Sequence, residues 1–297
     1  MKKKILTIGD IHGLENWKSK LFGNQLKFEH WKREIQSGSK DSLEEEYPLN
    51  DYHRIIFIGD YVDSFTISDD KILQNLRDII LLKREYPEKI ILLIGNHDVQ
   101  YIDNDHFCSG YRGTMRFDLH QTFNENLDLF QMAHYEEIPL LEGRRNRKVL
   151  WTHAGVTQGW LNDLDRSAFY NTKHRFYEIL KDHQTDRIDQ KLQLAWALRL
   201  TPIFAVDSYS GGSSSWAGPI WVRPHILSYE NLTGIDQIVG HTPKSTIIKM
   251  MIPPKDVESN PENQDLLVLT DCLEHGDESY YEFSYDENEN EKTNQSN

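Results

Sequence analysis

Arg54-Ile55-Ile56-Phe57-Ile58-Gly59-Asp60-Tyr61-Val62-Asp63-Ser64 is the stretch whose reading decides the fold. Ile55 to Ile58 form an unbroken apolar run, as in a strand buried on both faces, and Gly59 lets the chain turn sharply where the run stops. Two carboxylates, Asp60 and Asp63, follow that turn, at the end of a strand where open α/β sheets place their ligands. The same grammar occurs twice more before residue 100, in Ile5-Leu6-Thr7-Ile8-Gly9-Asp10-Ile11-His12-Gly13 and in Ile90-Ile91-Leu92-Leu93-Ile94-Gly95-Asn96-His97-Asp98. One such turn is weak evidence. Three of them, each carrying oxygen or imidazole donors, point to a metal site assembled from strand ends.

Outward from these turns, residues 14–36 carry apolar positions at helical spacing, interrupted at Gly23 and Asn24, and 37–53 read as a surface loop. The next helix is clearer: Ser68 is placed to cap it, Asp69 and Asp70 suit its positive end, and Ile72, Leu73, Leu76, Ile79 and Ile80 form one face. Pro87 closes it, and a strand at 89–94 completes β-α-β, with a right-handed crossover expected. A polar loop over 98–112 borders any site at Asn96 and His97, and a helix is expected over 114–130. A strand at 148–152 leads into His153-Ala154-Gly155. Residues 160–200 read as mostly helical and 207–218 as a Ser- and Gly-rich loop. Further strands fall at 237–239, ending in Gly240-His241-Thr242, at 246–250 and at 266–270. The pattern predicts an α/β fold of two packed mixed β-sheets flanked by helices. Its expected extent is one domain over 1–285, followed by an acidic, solvated tail over 286–297 that lacks apolar residues.

The chain has 297 residues, 38% hydrophobic and 27% charged, with a formal net charge of -14. No apolar run approaches the ~20 residues of a membrane span, and the short run after Lys2-Lys3-Lys4 makes no signal peptide. The negative balance argues against stable nucleic-acid binding. Cys108 and Cys272, read as unpaired thiols, fit a reducing compartment, so the expected location is the cytoplasm.

The polar residues that directly follow strands are Asp10 and His12, Asp60 and Asp63, Asn96, His97 and Asp98, His153, and His241. Imidazole, carboxylate and carboxamide donors suit moderately hard divalent ions. Their number implies two ions: Asp60 shared, Asp10 and His12 on one, Asn96, His153 and His241 on the other. Manganese is the first expectation, with iron or zinc as alternatives. Asp98 reads as a structural acceptor, Trp216 and Trp221 as packing residues, and the remaining histidines, such as His106, His120 and His225, as ordinary surface or core residues.

Gly-Asp-Ile-His-Gly, Gly-Asp-Tyr-Val-Asp, Gly-Asn-His-Asp, His-Ala-Gly and Gly-His-Thr, in that order over residues 9–242, resemble the five motifs of the calcineurin-like metallophosphoesterases. The phosphoprotein phosphatase branch is the most similar. The resemblance implies that Asp10, His12, Asp60, Asn96, His153 and His241 are metal ligands, that His97 protonates the leaving group and that Asp63 orients His97. Such a site hydrolyses phosphomonoesters through a hydroxide bridging two cations about 3.5 to 4 Å apart, and a protonated His beside a carboxylate supplies the proton a departing alkoxide needs.

The departures are specific. Asp63-Ser64-Phe65 replaces the usual Asp-Arg-Gly, and Ile94 stands where Arg commonly precedes Gly-Asn-His. Arg223, in Gly-Pro-Ile-Trp-Val-Arg-Pro, resembles an arginine of bacterial relatives and is the first candidate for the phosphate contact, with Asn96 also at the substrate; Arg112 and Arg116 are weaker candidates. Pro243 occupies the second His position of the Gly-His-Xaa-His found in nucleases and cyclic-nucleotide phosphodiesterases. The leading expectation is a protein phosphatase acting on phosphoserine, phosphothreonine or phosphotyrosine. The alternatives are a symmetrical dinucleoside tetraphosphate pyrophosphohydrolase and, in another class, a catalytically silent binding module on the same fold. The expected partner is a phosphorylated protein or a small phosphoester or nucleotide, and no membrane.

Overall fold

A computed structural model describes residues 2–38, 46–103, 107–138, 146–170, 187–206, 211–253, 264–273 and 280–286. The first half holds β1 (Lys2–Ile8), α1 (Asn16–Phe22), α2 (Gln25–Ser37), β2 (Arg54–Phe57), α3 (Asp69–Glu85), β3 (Ile90–Leu93), α4 (Asn96–Ile102), α5 (Arg116–Asn124) and β4 (Phe130–Gln131). The second holds β5 (Ala133–Ile138), β6 (Arg147–Thr152), α6 (Gln158–Tyr170), α7 (Ile188–Ala197), α8 (Pro224–Glu230), β7 (Ile235–Val239), β8 (Ile248–Ile252), β9 (Asp265–Leu269) and β10 (Tyr281–Asp286). The strands make two five-stranded mixed sheets, β10-β1-β2-β3-β4 and β5-β6-β7-β9-β8.

Strands that read as continuous apolar runs are divided by their period of two. Ile5, Ile56, Ile58, Ile91 and Leu93 of the first sheet meet Val149, Trp151, Ile238 and Val268 of the second between the sheets. Leu6, Ile8, Ile55, Phe57, Ile90 and Leu92 point the other way, into a core with Trp17, Leu21, Phe28 and Trp31 of α1 and α2 and Ile72, Leu76 and Ile79 of α3. Both faces are covered, so alternation vanishes from the sequence. Trp151 Nε1 donates to Thr7 Oγ1 at 3.0 Å across the sheet interface, satisfying two buried polar atoms. The outer face of the second sheet, with Val239, Leu267 and Leu269, is covered by Leu227 of α8 and by Ala217 and Val222.

Several elements differ from their expected limits. Ser68 precedes α3 but makes no capping hydrogen bond. Asp69, the first residue of that helix, is instead held by Arg112 and by Thr114 Oγ1 at 2.9 Å. α5 stops at Asn124, and Asn126 beyond it accepts from Arg84 on α3 at 2.6 Å. β4, β5 and β10 escape the sequence pattern. β10 pairs antiparallel with β1 from Lys2↔Asp286 to Thr7↔Tyr281, so Asp286 belongs to the sheet. Residues 171–186 of the expected helical region, His106, part of the 207–218 loop and the tail beyond 286 lie outside the described residues.

Candidate active site

β1, β2 and β3 are parallel neighbours, as are β6 and β7, so the turns that follow them share the carboxyl edges of the two sheets. The turns are tied to each other. The Ile11 and His12 amides donate to the Asp60 carbonyl at 3.1 and 2.7 Å, and the Gly240 amide donates to the His153 carbonyl at 2.7 Å. Two motif glycines exist because of this proximity: a Cβ on Gly95 would lie 2.0 Å from Asp60 Oδ1, and one on Gly240 would lie 2.0 Å from Asp10 Oδ1. His12, Asp60, Asp63 and His241 have φ of 43, 52, 67 and 65°. Arg199 is the one other non-glycine residue with positive φ among those described. Left-handed backbone at such residues costs about 1 to 3 kcal/mol each and persists only where the surroundings impose it.

The donors gather into two groups that share one carboxylate: Asp10, His12 and Asp60 in one, Asp60, His153 and His241 in the other. All five are buried. His12 Nδ1 lies 3.0 Å from the Val62 carbonyl and His153 Nδ1 lies 3.1 Å from the Ile58 carbonyl, so each of those nitrogens carries the proton and the neutral ring has a bare Nε2. The bare His153 Nε2 faces Asn96 Oδ1 at 2.9 Å and Asp60 Oδ2 at 3.4 Å. The bare His12 Nε2 faces Asp60 Oδ2 at 3.8 Å. His241 Nδ1 lies 2.9 Å from the same Asn96 oxygen, and its Nε2 is buried with no hydrogen-bond partner. Lone pairs aimed at lone pairs repel unless a cation sits among them. The donor set therefore fits divalent metal of the kind bound by mixed nitrogen and oxygen ligands.

The electrostatics agree. Burial, with Asp271 and Asp60 as negative neighbours, holds the Asp10 carboxyl well above its usual range. Burial holds His241 well below the ordinary imidazole value, hence neutral and able to ligate.

Residues 3–245 match the calcineurin-like phosphoesterase family. The chain belongs to that family. It is a phosphoester hydrolase with the αββα arrangement of this family. Solved structures that match the chain include a cold-active protein tyrosine phosphatase from a psychrophilic Shewanella, at 15% identity and TM-score 0.45 over 96% of this chain and 76% of that one. A protein serine/threonine phosphatase from Saccharomyces cerevisiae, with similarity to human phosphatase PP5, matches at 12% identity and TM-score 0.40 over 96% of this chain and 80% of that one. Yfce, a phosphoesterase from E. coli, matches at 13% identity and TM-score 0.22 over 51% of this chain and 57% of that one. No curated protein sequence matches the chain.

Beside the donor groups of this phosphoesterase, the His97 amide donates to Asp60 Oδ1 at 2.9 Å, and His97 Nδ1 meets Asp63 Oδ2 at 3.1 Å. Its ring stands edge-on to His12, with centroids 5.0 Å apart. Burial works against a charge on His97, but Asp60, then the contacts with Asp63 and Cys108, push its pKa up to about 12. Asp98 is a backbone acceptor, taking the Asp60, Tyr61 and Gly95 amides at 2.8, 2.9 and 2.9 Å.

The arginines divide. Arg223, half-buried, donates to Thr242 Oγ1 at 3.3 Å and to the Gly211 carbonyl at 3.0 Å, beside His241. Arg112 is committed to the chain after Asp63: its guanidinium holds Asp69 and the Ser64 carbonyl, and reaches the Ile67 carbonyl at 3.1 Å. Arg116 is exposed. Ser64 itself closes a turn, its Oγ accepting from the Thr66 and Ile67 amides at 3.2 and 3.3 Å. Trp221 sets its ring edge against His241, centroids 5.7 Å apart, whereas Trp216 is exposed. Neither Cys108 nor Cys272 forms a disulfide among the described residues.

Three residues near the site went unread in the sequence. Asp271 follows β9 as Asp10 follows β1, and the run Leu266-Leu267-Val268-Leu269-Thr270-Asp271 carries the same signal without the glycine. It is buried and acts on Asp10. Gln100 and Tyr101 sit on α4 with no motif to mark them, and both donate to Asp63.

Proposed function

We propose that this protein is a dinuclear metal-dependent phosphomonoesterase that acts on phosphorylated serine, threonine or tyrosine, with manganese as its ion and the cytoplasm as its location. What carries the reading is one feature: two donor groups joined through Asp60, with the Asp63–His97 pair directly beside them. Asp10 and His12 would hold one ion, Asn96, His153 and His241 the other, and Asp60 both. When bound, such a pair supplies positive charge to the phosphoryl oxygens and an activated water as nucleophile.

The chain's own residues complete the reaction. Arg223, with its guanidinium beside Thr242, binds the phosphoryl oxygens in place of the arginine absent at positions 64 and 94, and Asn96 borders the same group. His97 has Nδ1–H engaged by Asp63, so the proton it gives the leaving oxygen comes from Nε2. The Asp63 contact favours the protonated ring until bond cleavage. The buried walls around Asp10, Asp60 and His153 exclude bulk water and strengthen each charge interaction.

The test is turnover with Mn on phosphoserine, phosphothreonine and phosphotyrosine peptides, a nitrophenyl monoester, its diester and a dinucleoside tetraphosphate. Preference for the phosphopeptides is expected. Preference for the dinucleoside polyphosphate would replace this reading with that of a pyrophosphohydrolase. No turnover of any ester by metal-loaded protein would leave only a binding module.

A further inference from the structure

Asp63 is held by more than His97. Its Oδ2 accepts from Gln100 Nε2 as well as from His97 Nδ1, and its Oδ1 accepts the Tyr101 hydroxyl. Gln100 and Tyr101 are 1% and 0% exposed, so neither has water as an alternative partner. The direction of both donors is fixed from behind by the loop 107–112. The Arg112 amide donates to the Tyr101 oxygen at 2.8 Å, which leaves the phenol's own hydrogen for Asp63. The Cys108 amide donates to Gln100 Oε1 at 3.2 Å, which turns the NH2 end of that side chain toward Asp63. The same loop reaches around the other side, where the Arg112 guanidinium holds the Ser64 and Ile67 carbonyls. Asp63 stands at a φ of 67°, a conformation an aspartate keeps only when its neighbours impose it.

Given the phosphomonoesterase reading, on which this rests, we propose that Gln100 and Tyr101 are positioning residues for leaving-group protonation. They fix the plane of the Asp63 carboxylate so that Oδ2 aims His97 Nε2 at the departing oxygen. Three donors on one carboxylate leave it a single orientation, and His97 is then oriented by a group that cannot rotate. The loop 107–112 fixes the turn after Asp63, through Arg112 on the Ser64 and Ile67 carbonyls, and leaves the phosphate contact to Arg223.

A proton donor matters in proportion to how poor the leaving group is. Tyr101→Phe removes one hydroxyl and keeps the ring stacked on Tyr111. With Mn-loaded protein and a series running from nitrophenyl phosphate through phenyl phosphate to a phosphoserine peptide, this variant should lose about 10-fold or more in kcat on the peptide and about 2-fold or less on the nitrophenyl ester, since general acid catalysis is worth roughly 10² to 10⁴ only where the leaving group needs the proton. In a His97→Ala background the same substitution should change nothing further. Gln100→Met provides a second, independent variant, and bound Mn and thermal midpoint are measured for each. Equal losses across the series, or a full loss of the same size in the His97→Ala background, would overturn the positioning role and leave the phosphomonoesterase standing. A wild-type protein inert on every ester would remove that reading, and the inference with it.

Discussion

At the scale of single residues, Asp60 joins everything in the site: it belongs to both donor groups and takes the His97 amide. Asp60→Ala should therefore abolish bound metal and turnover together, whereas His12→Ala should leave the Asn96, His153 and His241 group able to hold an ion; metal analysis of the two purified variants separates these outcomes. His97 should titrate activity on the alkaline side. As the donor it must begin each turnover protonated, so activity holds below its pKa and falls as pH rises through it. Asp63 helps push that pKa up, so Asp63→Asn should move the alkaline limb of the kcat profile on a phosphoserine peptide to lower pH. An unmoved limb would mean another group is the donor. Residue types at the five turns were legible because each pairs a glycine with a donor. Asp271, Gln100 and Tyr101 were not, because their roles come from folding partners far along the chain: Asp63, 37 and 38 positions away, for the last two, and Asp10, 261 positions away, for the first.

At the scale of elements, the strands that feed the site were legible and several others were not, for a physical reason. β2 and β3 are buried on both faces and read as apolar runs. β5, Ala133–Ile138, alternates buried and more exposed positions through His134, Glu136 and Glu137, and β10 closes the edge of its sheet with Glu282 and Ser284. Such mixed runs carry too little apolar signal to be told from loops. The Ser68 cap failed for a related cause: the start of α3 is held from outside by Arg112 and Thr114, which no local pattern contains. The turns themselves make a sharp prediction. Gly95→Ala would drive a methyl group into the Asp60 carboxylate, so this smallest possible change should cost at least about 10-fold in activity and lower metal content, whereas Gly38→Ala, at a helix end with open space around it, should leave both unchanged. Trp151→Phe should lower stability by about 1 kcal/mol, read from denaturant unfolding, through loss of the Thr7 hydrogen bond.

At the scale of the whole molecule, a chain of net charge -14 concentrates Asp10, Asp60, Asp63, Asp98 and Asp271 where its two sheets meet. Among the described residues no helix is long and apolar enough to cross a membrane. Carboxylates this close and this buried repel one another, and bound cations relieve them, so chelation should lower the thermal midpoint by several degrees and added Mn should restore it, by linkage of binding to folding. At Asp10, whose carboxyl is held high by burial and by Asp271 and Asp60, a proton competes with the metal for the carboxylate, so Mn affinity should weaken as pH falls. The central claim is that the two donor groups are one dinuclear centre joined through Asp60. Its most direct measurement is Mn titration of the chelator-stripped protein, followed by electron paramagnetic resonance. Two ions per chain with an exchange-coupled spectrum, lost in Asp60→Ala, are predicted; a single ion, or two uncoupled ions unaffected by that substitution, would contradict the account.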